Sequence, residues 1–139
     1  MAPFHTTIGT VLLVEDHAPL RRNLAFLLQA AGFEVATASN GQEAITLLGK
    51  TNPNIIISDI DMPQVDGYGL LRFVRDSLEW HNTPFILTSA KYDYDDLING
   101  LELGANDYLP KPFDIYDVLD AIQRVAPDVI ANGRQPKAS

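Results

Sequence analysis

At several points along the chain a polar residue stands where a short apolar run ends. Glu15 and Asp16 follow TVLLV, Asp59 follows a run containing Ile55-Ile56-Ile57, Ser89 follows Phe85 to Thr88, and Lys111 follows Tyr108-Leu109-Pro110. Three carboxylates, a hydroxyl and an ammonium brought to one edge would suit cation and phosphoryl chemistry. Two carboxylates about 4 Å apart repel by roughly 4 kcal/mol at an effective dielectric of about 20, so a cluster of three is strained without a cation. Hard oxygen ligands on short loops suit Mg²⁺, which takes few carboxylates and keeps several waters. A carboxylate beside Mg²⁺ and a lysine is also a competent phosphoryl acceptor, because positioning and charge neutralisation are most of that chemistry. The Ser89 hydroxyl and the Lys111 ammonium can each hold an oxygen of the incoming group.

The elements that must bring these residues together are legible from periodicity. Thr10 to Val14 predicts a buried strand: short, continuous and rich in branched residues. Pro19 sits near a helix start, with Leu20, Leu24, Leu27 and Leu28 at helical spacing until Gly32. Phe33 to Ala38 is strand-like, and Asn40 with Glu43 signals a capped helix running to about Leu48. Asn54 to Ser58 predicts a third strand. Asp66 caps a helix carrying Leu70, Leu71, Phe73, Val74 and Leu78; Phe85 to Thr88 predicts a fourth strand after Pro84. Asp93 is expected to open a helix through Leu103, its first turn acidic with Asp95 and Asp96 and Gly104 at its end. A short strand at Tyr108-Leu109 and a helix capped by Asp114, with Ile115, Val118, Leu119 and Ile122, complete the pattern. Strict alternation of strand and helix demands parallel strands with helices on both faces, an α/β doubly wound five-stranded parallel sheet. Ligands of such sheets sit at the carboxyl ends of the strands, which is where the polar residues fall.

Composition bounds the rest. The 139 residues suit one domain, divided as an N-terminal tail 1–9, a folded domain 10–126 and a C-terminal tail 127–139 without apolar period. Absence of cysteine excludes disulfides, thiolate metal sites and cysteine nucleophiles. A net charge of −8 disfavours direct contact with nucleic acid or anionic lipid. The first basic residue is Arg21, and no apolar run approaches the roughly 20 residues of a membrane span, so a cytoplasmic protein without signal peptide or membrane partner is expected. His5, His17 and His81 lack ligand spacing, and Trp80 is expected to cover the core before the fourth strand.

Val14-Glu15-Asp16, Ser58-Asp59-Ile60-Asp61-Met62-Pro63, Asp66-Gly67, Thr88-Ser89-Ala90 and Tyr108-Leu109-Pro110-Lys111-Pro112-Phe113 together resemble the receiver domain of bacterial response regulators, from about Thr10 to Val125. The resemblance implies the flavodoxin-like (βα)5 receiver fold of two-component signal transduction. It implies Asp59 as phosphoacceptor for a sensor histidine kinase or phosphotransfer protein in a phosphorelay. Mg²⁺ would be held by Glu15, Asp16, Asp59 and the backbone carbonyl of Asp61. Ser89 and Tyr108 match the switch pair, Lys111 the phosphate-pairing lysine, and Lys111–Pro112 a bond that is usually cis. Such a domain acts on a downstream protein target and is not an enzyme beyond its own phosphorylation and dephosphorylation. With no room for an output domain after Val125, the expectation is a stand-alone receiver whose output comes from docking a partner, or a piece cut from a longer protein. Asp61 and Lys91 would flank the path of attacking water and could pair as a gate, with small Ala90 leaving that path open. Related regulators dimerise through arginines on the last helix; Tyr116 and Ala121 stand where those are sought, although Asp107 is retained.

Two other classes fit less well. Asp59-Ile60-Asp61 satisfies the Asp-x-Asp of haloacid-dehalogenase-like Mg²⁺-dependent phosphatases, but that family carries its nucleophile on the first strand and its extra acids after the lysine. A flavodoxin-like electron carrier must cradle the FMN phosphate in its first loop, where Glu15-Asp16-His17 would repel it.

Overall fold

The computed structural model describes residues 8–91 and 94–134. The chain alternates β1 (Thr10–Val14), α1 (Ala18–Ala30), β2 (Glu34–Ala38), α2 (Gly41–Thr51), β3 (Ile55–Asp59), α3 (Gly67–Asp76), β4 (Phe85–Ser89), α4 (Tyr94–Glu102), β5 (Asp107–Pro110), α5 (Ile115–Val125) and α6 (Pro127–Arg134). The five strands are parallel in the order β2-β1-β3-β4-β5. Chain progression reverses between β1 and β3, so the crevice beyond their carboxyl ends is the switch point of the sheet.

Both faces of the sheet are covered, and the alternation of side chains along each strand divides the core in two. Leu12, Val14, Ile56, Phe85, Leu87 and Tyr108 pack with Leu48, Leu70, Leu71 and Val74 from α2 and α3. The intervening Val11, Leu13, Ile55, Ile57, Ile86 and Leu109 pack with Leu24 and Leu28 of α1 and Val118 and Ile122 of α5. Helix starts are capped as their sequences indicate. Asn40 accepts from the Glu43 amide (2.8 Å), Asp66 from that of Gly69 (2.8 Å), and Asp114 with Asp117 forms a complete capping box. At α1 the His17 Nδ1 takes the capping position, 3.4 Å from the Leu20 amide.

Three sequence expectations are corrected. β3 and β4 each run one residue further, so Asp59 and Ser89 are the last residues of their strands. α3 stops at Asp76, and Leu78 is 94% exposed. The Ser77 hydroxyl accepts from the amides of Glu79 and Trp80, opening a new turn in place of the helix. Trp80 does cover the core, its Nε1 donating to Asn52 Oδ1 (3.1 Å). The start of α4 at Asp93 lies outside the described residues, as do His5 and 135–139.

The third correction concerns the tail expected from Pro127: residues 127–134 form α6, and Ile130 is buried in the α1/α5 core beside Val129 and Ile8. Val129 and Ile130 are adjacent, so no period announces them; docking on the domain stabilises the helix. Replacing Ile130 with Ala should therefore lower stability by about 2 kcal/mol, the low end of the range for buried isoleucine because the helix is terminal. Urea unfolding checks this, and an unchanged midpoint would restore a frayed tail.

Candidate functional site

The carboxyl edge of the sheet gathers the residues singled out by their positions. Glu15 continues the β1–β2 ladder, its amide donating to the Ala38 carbonyl (3.0 Å), and it is 3% exposed. Both its carboxylate oxygens are engaged: Oε2 accepts from the His17 amide (2.9 Å) and Oε1 from Lys111 Nζ (2.7 Å). Its carbonyl accepts from Arg21 Nη1 (2.8 Å), which fastens the β1–α1 loop from the first turns of α1. Asp59 is also buried, with Oδ1 3.4 Å from Lys111 Nζ. Asp16 is exposed at the rim. One carboxylate oxygen from each of Glu15, Asp16 and Asp59 lies within 4.8 Å of the others.

The remaining loops frame this cluster. Ser89 is buried at the end of β4, where its Oγ accepts from the Lys91 amide (3.0 Å) and its carbonyl from the Lys111 amide (2.7 Å). Tyr108 lies inward, and its hydroxyl donates to the Lys91 carbonyl (2.7 Å). The Lys111–Pro112 bond is cis. Gly67 sits so close to the acceptor turn that a Cβ would collide with the Asp59 carbonyl and the Ile60 backbone. Its amide donates to the Ile60 carbonyl (2.9 Å). A side chain at this position would push α3 away from Asp59.

Charge accounting favours a cation here. Three carboxylates face one ammonium, leaving two negative charges among groups of which Glu15 and Asp59 are buried. Burial first, and the Glu15 charge next, push the Asp59 pKa up to about 6 despite the opposing pull of Lys111. For Lys111 burial opposes the charge most strongly, yet the hydrogen bond to Glu15 and the charges of Asp59 and Glu15 together hold its pKa above the usual lysine value. All-oxygen donors with two uncompensated charges fit a hard divalent ion such as Mg²⁺.

The family model for the response regulator receiver domain matches residues 11–123. The chain belongs to that family. It is 42% identical over 103 residues to the "Probable transcriptional regulator ycf27" of Cyanophora paradoxa, covering 74% of this chain and 42% of that protein. The receiver thus spans about two fifths of the length of such relatives. Protein PilG of Pseudomonas aeruginosa is 35% identical over 117 residues, 84% of this chain and 87% of PilG. Among solved structures, the chemotaxis protein CheY4 of Vibrio cholerae superposes with a TM-score of 0.80 at 33% identity, covering 84% of this chain and 98% of that one. The receiver functions in phosphorylation-controlled signalling within two-component systems, and the phosphatase alternative finds no support. No helix among the described residues is long and apolar enough to cross a membrane.

Glu15, Asp16, Asp59, Ser89 and Lys111 thus meet at one edge, with Tyr108 linked to them through Lys91. Asp61 and Lys91 are both exposed, and no ion pair joins them among the described residues. Solvated charges gain little from pairing. Lys111 is closer to Glu15 than to Asp59, which the linear pattern did not indicate. Arg21 escaped the sequence reading; its only signal was a basic residue one turn into the helix that follows the acidic pair.

The raised Asp59 pKa makes stability pH-dependent. The folded chain binds this proton more tightly than the unfolded chain, so with divalent cations chelated, stability falls as pH rises from about 4 to about 6 and levels off above. The loss is on the order of 2–3 kcal/mol. Asp59→Asn should remove this dependence and stabilise the protein at pH 7, as chemical denaturation across a pH series would show.

Proposed function

We propose that the receiver accepts a phosphoryl group on Asp59 from the phosphohistidine of a sensor histidine kinase or phosphotransfer protein. The observation that carries this reading is a buried carboxylate at the switch point, held between an acidic pair and a lysine. An Asp59 oxygen attacks phosphorus, the P–N bond of the donor breaks, and the departing imidazole keeps the bonding pair and takes up a proton. Lys111 and the Ser89 hydroxyl bind the phosphoryl oxygens. Glu15, Asp16, Asp59 and the Asp61 carbonyl are the proposed ligands of Mg²⁺, which when bound neutralises charge that builds on the transferred group. Hydrolysis returns the carboxylate: water attacks phosphorus and the Asp59 O–P bond breaks. Exposed Asp61 and Lys91 flank that approach.

The donor has a surface to rest on. His17, Leu20, Ala90, Pro112 and Phe113 line an apolar recess beside Lys111, adjoining the acceptor. Docking there would exclude water from the transfer. The reading further assigns the receiver a cytoplasmic location, a downstream protein target, no direct contact with nucleic acid, and no turnover of external substrates. Asp59→Asn should abolish phosphate incorporation from a small acyl phosphate or a phosphorylated kinase, and a chelator should do the same to the unaltered chain. Full labelling of the variant, or chelator-resistant labelling, would sink the assignment.

A second consequence concerns assembly. Asp107, the acid that related regulators use between subunits, is engaged within its own chain by Arg124 (Nη2 to Oδ2, 2.6 Å) and by the Tyr108 amide (2.8 Å). We infer that the salt-bridged dimer across α4, β5 and α5 does not form. Sedimentation should find a monomer with and without phosphorylation; a phosphorylation-dependent dimer lost in Asp107→Ala would contradict this.

A further inference from the structure

Successive peptide units run through the acidic pair, and each is pinned by a different partner. The Glu15 amide belongs to the sheet, bonded to the Ala38 carbonyl (3.0 Å). The Glu15 carbonyl accepts from Arg21 Nη1 (2.8 Å), and the His17 amide donates to Glu15 Oε2 (2.9 Å). Of these bonds, the middle one is supplied by a side chain of α1. Arg21 is itself fixed on that helix: its amide donates to the His17 carbonyl (2.9 Å), and Leu24 and Leu28 bury the helix against the sheet. A guanidinium stays charged throughout the ordinary pH range, so this is a charge-assisted bond that no titration removes. Among the described residues Arg21 makes no ion pair with a carboxylate.

The carboxylate that most needs this support is that of Asp16. Glu15 and Asp59 are buried and stand 2.7 and 3.4 Å from Lys111 Nζ. Asp16 is exposed, and among the described residues no hydrogen bond or ion pair fixes its carboxylate. One of its oxygens nevertheless lies within 4.8 Å of an oxygen from each of the other two acids. Its place follows from the backbone that carries it. We propose that Arg21 is a positioning residue of the cation site, its bond to the Glu15 carbonyl holding the peptide that leads into Asp16 so that the third carboxylate stays with the other two. This rests on the reading of Glu15, Asp16 and Asp59 as Mg²⁺ ligands. The three acids already converge in this structure, so releasing the peptide disperses the donors. Groups that orient metal ligands set affinity by about 10- to 100-fold. Charge works the other way: a guanidinium near an acidic site repels a divalent cation, so loss of the charge alone tightens binding. Geometry and charge thus give opposite signs.

The test titrates Mg²⁺ alone into the chelator-treated full chain, followed through the amide resonances of Asp16 and Asp59. In Arg21→Gln the side chain ends two bonds short of Nη1 and cannot reach the carbonyl; Arg21→Met is equally neutral and keeps an aliphatic stem. Arg22→Gln removes the same charge one residue along, from an exposed position. Both Arg21 variants should bind Mg²⁺ about 10-fold more weakly, the low end of the range because the bond acts through the backbone of a ligand. Arg22→Gln should bind as the wild type does, or slightly tighter. Tighter binding by the Arg21 variants would reduce Arg21 to a nearby charge and overturn the proposal. Unchanged binding, with or without a lower urea midpoint, would reduce it to a fold contact and overturn it equally. Equal weakening in Arg22→Gln would do the same, because that side chain makes no bond to the acidic loop. A wild-type chain that does not bind Mg²⁺ would sink the ligand reading and this inference with it. A wild type that binds, beside Arg21 variants of equal affinity, would sink this inference alone.

Discussion

Lys111 is the cation that allows Glu15 and Asp59 to be buried side by side as carboxylates. It bonds Glu15 at 2.7 Å and stands 3.4 Å from Asp59, and its own backbone amide is tied to Ser89 at the end of β4. One residue following β5 therefore reaches Glu15 after β1 and Asp59 at the end of β3 with its side chain, while its amide bonds the end of β4 that lies between. The compensation is incomplete, since three carboxylates share one ammonium; burial first, and the Glu15 charge next, push the Asp59 pKa up to about 6. Incomplete neutralisation is useful to a phosphorylation switch. It leaves a reason to bind a divalent ion, and in the proposed phosphoacceptor reading the ammonium, 3.4 Å from Asp59, is at hand for a new anion there.

The two ends of the sheet are built differently. At the amino end of β4 and β5, Arg75 donates to the carbonyls of Gly104, His81 and Thr83 and to Asn106 Oδ1, which itself accepts from the Phe85 amide. Among the described residues that half-buried guanidinium pairs with no carboxylate, so its contribution is geometric: it binds α3 to the chain entering both strands. At the carboxyl end, Ser89 Oγ accepts from the Lys91 amide, and the Tyr108 and Tyr68 hydroxyls donate to the Lys91 and Asp96 carbonyls, which sets Lys91 and the first turn of α4. The two edges are thus stitched by different groups, a guanidinium at one and hydroxyls at the other. Buried strands such as Ile55–Asp59 and Phe85–Ser89 provide the rigid floor for both.

Most of the architecture was legible in the sequence because buried parallel strands and amphipathic helices leave unmistakable periods. Five apolar runs, their intervening helices, the caps at Asn40, Asp66 and Asp114, and the residues clustered at the strand ends all followed from local pattern. Where the pattern misled, a nonlocal or competing interaction was responsible. Leu78 continues the helical spacing of α3, but the Ser77 hydroxyl captures the next amides and turns the chain. Val129 and Ile130 carry no period, yet the surface between α1 and α5 gives them somewhere to pack.

Residue types and their order along the chain determined by themselves that acids, a hydroxyl and a lysine would meet at one edge, because strict strand–helix alternation permits only a parallel sheet with those residues at its carboxyl end. Partners were another matter. That Lys111 bonds Glu15 more closely than Asp59, that Arg21 fastens the acidic loop, that Arg124 engages Asp107, and that Tyr68 reaches α4 were decided by the tertiary structure. The reason is physical: each depends on a separation of a few ångströms between groups on different elements, and such distances follow from how helices and loops pack on the sheet, which no local period encodes.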